Sequence, residues 1–357
     1  MEYRRLGRAG LRVSALTLGT FTFGGRGPFA MVGTQGPAEA RALVDVAIEG
    51  GITLFDTANM YSMGLSEQIL GEVLEGRRDD VLISSKARMR IGDGPNDAGM
   101  SRWHLIRECE RSLTRLRTDR IDLYHIHEWD GATPLDEMLE ALHALREQGK
   151  IRYIGCSNFS GWHVMKALAL SEARGLARFV TQQIHYTLEA REAEYELLPI
   201  SVDQGLGVTV WSPLAAGLLS GKHRRGAGPA EGSRQLAGWT EPPIRDEDRL
   251  WRIVESLSAL AGARGDGTTP SQLALAWLLE RPAVSSLVIG ARHPDQLREN
   301  LRATDIALTE EERTALGDAS AIPLIYPYWH QQQFAAETFT EADRALHDNL
   351  RLPPGPP

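Results

Sequence analysis

The chain has 357 residues, 42% of them hydrophobic, enough apolar material to bury one large core. Asp and Glu number 47 against 39 Lys and Arg, and the resulting formal charge of −8 disfavours a sequence-independent grip on nucleic acid. Cys109 and Cys156 lack metal or CxxC spacing, and no apolar run approaches the roughly 20 residues that span a bilayer.

The start, MEYRRLGRAG, has no signal-peptide core, so the expected location is the cytoplasm, with neither membrane nor nucleic acid as partner. Tyr3 to Leu6 and Leu11 to Ser14 flank a glycine-containing turn and predict a β-hairpin that plugs the bottom of the main fold. Short runs rich in β-branched residues then alternate with longer amphipathic stretches, the pattern of parallel strands joined by crossover helices. Eight strands are expected, at Leu16 to Gly19, Thr53 to Asp56, Val81 to Lys86, Ile121 to His127, Arg152 to Ser157, Phe179 to Ile184, Gly207 to Ser212 and Ser286 to Ile289. Helices are expected at Pro37 to Glu49, Ser66 to Leu74, Arg102 to Arg115, Pro134 to Glu147, Gly161 to Ser171 and Asp246 to Ala263. Thr133 reads as an N-cap with Pro134 in the first helical position, and Gly149 closes that helix.

An open doubly wound sheet would carry a Gly-rich phosphate turn after its first strand, and the glycines from Gly24 to Gly36 lack that spacing. The expected fold is therefore α/β, a closed (β/α)8 TIM barrel. One domain is expected over residues 1–350, made of the hairpin (1–15), the barrel, a long loop after strand 7 (215–245) and a C-terminal extension (309–350). Residues 351–357 read as a disordered tail.

In such a barrel the chemistry lies at the carboxyl ends of the strands. Asp56, Lys86 and His127 each end an apolar run there, and Tyr61 lies in the loop after Asp56. A tyrosine hydroxyl, with an ordinary pKa near 10, needs a neighbouring cation to serve as an acid near neutrality. Lys86 is the expected cation, Asp56 its counter-ion, and His127 the group that orients a carbonyl oxygen. His125 lies on the same strand face one step deeper and is expected to pack in the interior; His185 and Glu128 are weaker candidates. No residue spacing compels a metal site, and none is expected.

At these residues the sequence resembles the aldo-keto reductase family, over about Tyr3 to Leu308. The likeness is carried by LGRAGLRVSALTLGT, LFDTANMYSMGLSEQILG, ISSKA, IDLYHIHEWD, IGCSNFS, VTQQIHY, VTVWSPLAAGLLSGK and VIGARHPDQLREN, in that order. The branch it resembles includes bacterial reductases and potassium-channel β subunits. The resemblance implies an NADPH-dependent reduction of a ketone or aldehyde, with NADPH ahead of NADH. It gives Ser157, Asn158 and Gln183 to the nicotinamide carboxamide and Trp211 to its ring. Ser212, Leu214, Leu218, Ser220, Lys222 and Arg234 fall along the pyrophosphate. Arg292, Gln296, Glu299 and Asn300 fall at the adenosine end, with Thr20, Phe21 and Gly290 as further contacts. Arg292 offers a planar fork to the 2′-phosphate that NADPH has and NADH lacks. The alternative implied by the same branch is a cofactor-binding regulatory or redox-sensing subunit.

The substrate is expected to be a small carbonyl or secondary alcohol. Phe21 to Gln35, Arg88 to Gly99, Trp129 and the long loop are the segments expected to meet it, and the assembly is expected to be a monomer or homo-oligomer. Ile325, Tyr326, Tyr328 and Trp329 form an aromatic cluster that either folds over the mouth or packs on a wall or a second subunit.

Overall fold

The computed structural model describes residues 1–231 and 233–347; the expected tail, 351–357, lies outside them. Two short strands, β1 (Tyr3–Arg5) and β2 (Arg12–Ser14), pair antiparallel as the predicted hairpin. Eight parallel strands come next: β3 (Leu16–Gly19), β4 (Leu54–Asp56), β5 (Leu82–Ala87), β6 (Ile121–Ile126), β7 (Ile151–Ser157), β8 (Phe179–His185), β9 (Gly207–Trp211) and β10 (Val284–Ile289). They pair in chain order, and β10 closes on β3 as a barrel. The strands lie within two residues of the bounds the hydrophobic pattern predicts.

Twelve α-helices are described: α1 (Pro37–Glu49), α2 (Leu65–Val73), α3 (Arg102–Leu116), α4 (Leu135–Glu147), α5 (Gly161–Arg174), α6 (Ala193–Gln204), α7 (Glu247–Arg264), α8 (Pro270–Leu279), α9 (Pro294–Leu301), α10 (Glu310–Ala319), α11 (Tyr328–Phe334) and α12 (Glu341–His347). The apolar stripes of α1 to α10 contribute to one continuous core from Ala15 to Leu316. The α8 sequence, PSQLALAWLL, is apolar on nearly every side and is buried between β10, α7 and α9. It begins at a reciprocal cap in which Thr269 and Gln272 satisfy each other's backbone N–H groups.

The start of α4 departs from expectation. Pro134 is itself the N-cap, with ψ 133°, and the helix begins at Leu135. Thr133 cannot cap because its hydroxyl donates to Asp130 at 2.7 Å, a carboxylate that also gathers the N–H groups of Met100 and Ala132. Gly149 takes a left-handed φ of 73° just after the C-cap Gln148.

The hairpin seals the amino-terminal end of the barrel. Leu6 and Val13 bury completely against Leu54 and Leu123, with Leu82, Tyr153 and Val180 around them. Gly7 is required in the turn: with φ at 59°, a Cβ there would fall 2.3 Å from the Gly205 carbonyl oxygen. The C-terminal segment packs on the outside of the barrel. Ile322, Leu324 and Leu346 cluster with Tyr195 and Tyr328, whose rings stack 5.7 Å apart, so Tyr328 lies against α6 while Ile325, Tyr326 and Trp329 are exposed. No described helix is long and apolar enough to cross a membrane.

Candidate active site at the carboxyl end of the barrel

Strand register brings the predicted charges together. In the parallel ladder Asp56 stands opposite Ser84, and Lys86, two residues further along the same face, stands opposite His125. Lys86 is fully buried and Asp56 is 2% exposed, so neither charge is tolerable alone. They meet at 2.5 Å between Lys86 Nζ and Asp56 Oδ2, and the ammonium also donates to the Thr57 carbonyl at 2.9 Å. Burial opposes the lysine's charge, yet Asp56 and Tyr61 outweigh it and the pKa lies above its ordinary value. Asp56 Oδ1 accepts from Ser84 Oγ at 2.8 Å and from Gln183 Nε2 at 2.9 Å.

Tyr61 sits in a short turn after β4 whose next two residues, Ser62 and Met63, take left-handed conformations. Lys86 donates to its hydroxyl at 3.4 Å. The expected lowering of the tyrosine pKa is not what the site produces. Burial raises it more than the nearby ammonium lowers it, and Asp56 and Glu241 add to the rise. The hydroxyl is therefore a protonated donor throughout the neutral range. Its ring is fixed by edge contacts with Phe21 at 5.2 Å and His127 at 5.7 Å, and by Phe29 at 6.1 Å.

His127 lies one residue past β6, its N–H donating to the Ala87 carbonyl. Burial first, then Lys86, His125 and Arg88, hold its pKa well below the ordinary histidine value, so the ring is neutral at pH 7. Its Nδ1 is buried without a partner. His125 fills the barrel interior as expected: Nδ1 is 3.3 Å from Ser84 Oγ, and Gly155 leaves the room, since a Cβ there would meet the ring at 2.5 Å.

Above these groups opens a cavity of about 570 Å³ that runs across the barrel mouth. Asp56, Tyr61 and His127 line it, together with Phe21, Ser157, Asn158, Gln183, Trp211, Ser212, Leu214, Ser220, Lys222, Arg234, Gly290, Arg292, Gln296, Glu299 and Asn300. Lys86 lies beneath its floor. Two expected contacts do not line it. Thr20 is fully buried and its hydroxyl is engaged with Ser66 and the Asp56 carbonyl, while Leu218 turns toward the core.

Several lining side chains already have partners. Asn158, at φ 58°, donates to the His127 carbonyl and accepts from Trp211 Nε1, both at 3.1 Å. Trp211 is further held by the His185 ring at 4.4 Å. Gln296 accepts from the Arg292 N–H at 2.9 Å. Arg234 lies over the Phe21 ring at 5.4 Å, and burial plus the Arg292 charge lower its pKa. Asn300 keeps a buried Nδ2 without a partner. This set of basic, amide and hydroxyl groups, apolar near Tyr61 and cationic at Lys222, Arg234 and Arg292, fits an elongated polyanion with one flat polar end.

Phe29, Met60, Met89, Trp239, Glu241 and His293 also line the cavity, and nothing in the sequence pattern marks them individually. Trp239 reaches in from the long loop to meet Phe21 at 5.5 Å. Loop residues carry no periodicity, so only their segments are suggestive. Trp129, by contrast, stacks on His163 at 3.7 Å and does not line the cavity. Cys156 is fully buried and desolvation raises its thiol pKa, so it offers no ready thiolate; Cys109 is pushed up to about 12 by burial.

The profile of the Aldo/keto reductase family matches residues 15–320. A protein described as uncharacterized oxidoreductase YrpG of Bacillus subtilis (strain 168) is 41% identical over 330 residues, covering 89% of this chain and 95% of its own. Probable voltage-gated potassium channel β subunits of Arabidopsis thaliana and Oryza sativa subsp. japonica are 34% and 35% identical, each over 86% of this chain and 92% of its own.

Proposed function

Because the chain belongs to the aldo/keto reductase family of oxidoreductases, whose members generally use NAD(P)H on small carbonyl compounds, we propose that it reduces a ketone or aldehyde with NADPH. The observation that carries the reading is the buried Asp56–Lys86–Tyr61 chain opening beside neutral His127 into one elongated cavity.

The cavity's donor set suits the cofactor. Lys222, Arg234 and Arg292 would hold its phosphates, Asn300 with its unpaired buried amide the adenosine end, and Trp211 its ring. When bound, the nicotinamide supplies a hydride to the carbonyl carbon. Tyr61 donates the proton to the carbonyl oxygen as negative charge grows there. Lys86, protonated and pinned by Asp56, stabilises the phenolate left behind. His127, being neutral, cannot deliver a proton as imidazolium at pH 7 and instead donates an N–H hydrogen bond that orients the oxygen. Phe21, Phe29, Met60, Met89 and Trp239 exclude water and favour an apolar body on the substrate.

Oxidation of NADPH by the purified protein with a panel of aldehydes, sugar ketones and polycyclic ketones tests this. Turnover above background is expected for members with an apolar body. A protein that binds NADPH but turns over none of them supports the second reading, a regulatory subunit, which the likeness to the channel β subunits favours.

A further inference from the structure

Three hydrogen bonds converge on the Asp56 carboxylate: Lys86 on Oδ2, Ser84 and Gln183 on Oδ1. Among the described residues, only Gln183 of these three donors also lines the cavity, and it is 3% exposed. A carboxylate paired with an ammonium is an acceptor only, so the amide nitrogen of Gln183 has to face it. The amide oxygen is then the atom left to address the cavity, and it can only accept. Gln183 is held on β8, four strands round the barrel from β4, so this contact crosses the interior and is not a neighbour-strand accident.

We propose that Gln183 is a positioning residue that couples occupation of the nicotinamide end of the cavity to the Asp56–Lys86 pair. An N–H donor arriving at Gln183 Oε1 polarises the amide and strengthens the Nε2–H bond to Asp56. The carboxylate is thereby held in the orientation that keeps Lys86 under Tyr61. Asn158 makes the parallel bridge on the other side, from the His127 carbonyl to Trp211, but it touches backbone and ring and no charge. The inference rests on the reading of the cavity as the cofactor's seat.

A double-mutant cycle read by equilibrium NADPH binding, followed by protein fluorescence without any substrate, tests it. Gln183→Met and Asp56→Asn are measured singly and together, with thermal unfolding to check folding. If the two residues act as one unit, the double variant loses at least threefold less affinity than the product of the single losses, in line with coupling between contacting residues. Strictly multiplicative losses overturn the inference while leaving the cofactor reading intact. Failure of the unmodified protein to bind NADPH or NADH overturns both. If Asp56→Asn does not fold, Ser84→Ala replaces it: because Ser84 and Gln183 both donate to Oδ1 and each partly covers for the other, the double variant with Gln183→Met is expected to lose at least threefold more affinity than the product of the single losses, and strictly multiplicative losses have the same meaning.

Discussion

The two ends of the barrel are built from the same strands and solve opposite problems. The floor is dry and relaxed: Leu6, Val13, Leu54 and Leu123 are at most 1% exposed and need nothing but volume. At the mouth a fully buried lysine, its carboxylate and two neutral histidines share a few ångströms. Backbone strain is distributed the same way. Of the nine described non-glycine residues with positive φ, seven lie in loops at the carboxyl ends of strands: Ser62, Met63, Arg88, Asn158, Ser212, Ala215 and Ala216. Each such residue costs on the order of 1 kcal/mol or more, sustained by packing beneath it. A closed barrel separates the end that supplies stability from the end that spends it on chemistry.

Substitutions at the two ends should therefore fail differently. The largest effect is expected from Tyr61→Phe, a loss of about 10²–10⁴ in kcat for carbonyl reduction with NADPH binding retained; retention of full turnover would remove Tyr61 as the acid. Lys86→Met leaves Asp56 buried without its cation and should cost about 3–5 kcal/mol in denaturant unfolding as well as activity. At the floor, Leu123→Ala should cost about 2–5 kcal/mol in the same experiment while kcat/KM measured on the folded protein stays within about twofold. A large kinetic effect there would break the separation.

Acid should attack the mouth first. His125 has its pKa lowered to about 4 by burial and by Lys86, against about 6.5 in an unfolded chain. Between those values the unfolded chain binds more protons than the folded one, so stability falls as pH drops through that window, by up to about 3 kcal/mol for this group. His127 acts in the same direction. Unfolding curves for His125→Gln should show a flatter pH dependence between about pH 6.5 and 4 than the parent; an unchanged slope would deny His125 this role. The smallest effect is expected from Arg292→Ala, roughly tenfold weaker binding of NADPH with little change for NADH. Equal losses would deny it the 2′-phosphate.

The legibility of the sequence divides along the same line. Strands and most helices can be read because burial imposes period on them, and Asp56, Lys86 and His127 because a polar residue ending an apolar run is conspicuous. Thr20, a cofactor contact only by resemblance, follows β3 with its hydroxyl turned inward to Ser66, an orientation that no pattern in the sequence marks. Phe29 and Trp239 lie in aperiodic loops, and their approach to Tyr61 and Phe21 depends on how those loops fold across the mouth. The raised pKa of Tyr61 and the grip of Gln183 on Asp56 depend on burial and on the register of strands far apart in sequence, which no local pattern encodes.

The hairpin has a consequence for the order in which the molecule can be completed. Arg4 donates to the carbonyls of Leu279 and Val284, and Gly7 lies against Gly205 and Gly207, so the hairpin docks on elements far downstream of it in the chain. Leu6 and Val13 find their apolar partners on β4 and β6, but until β9, α8 and β10 exist the hairpin lacks these polar anchors. Final docking of the hairpin therefore waits on closure of the barrel by β10, so that a defect in the hairpin burdens the end of folding instead of its beginning.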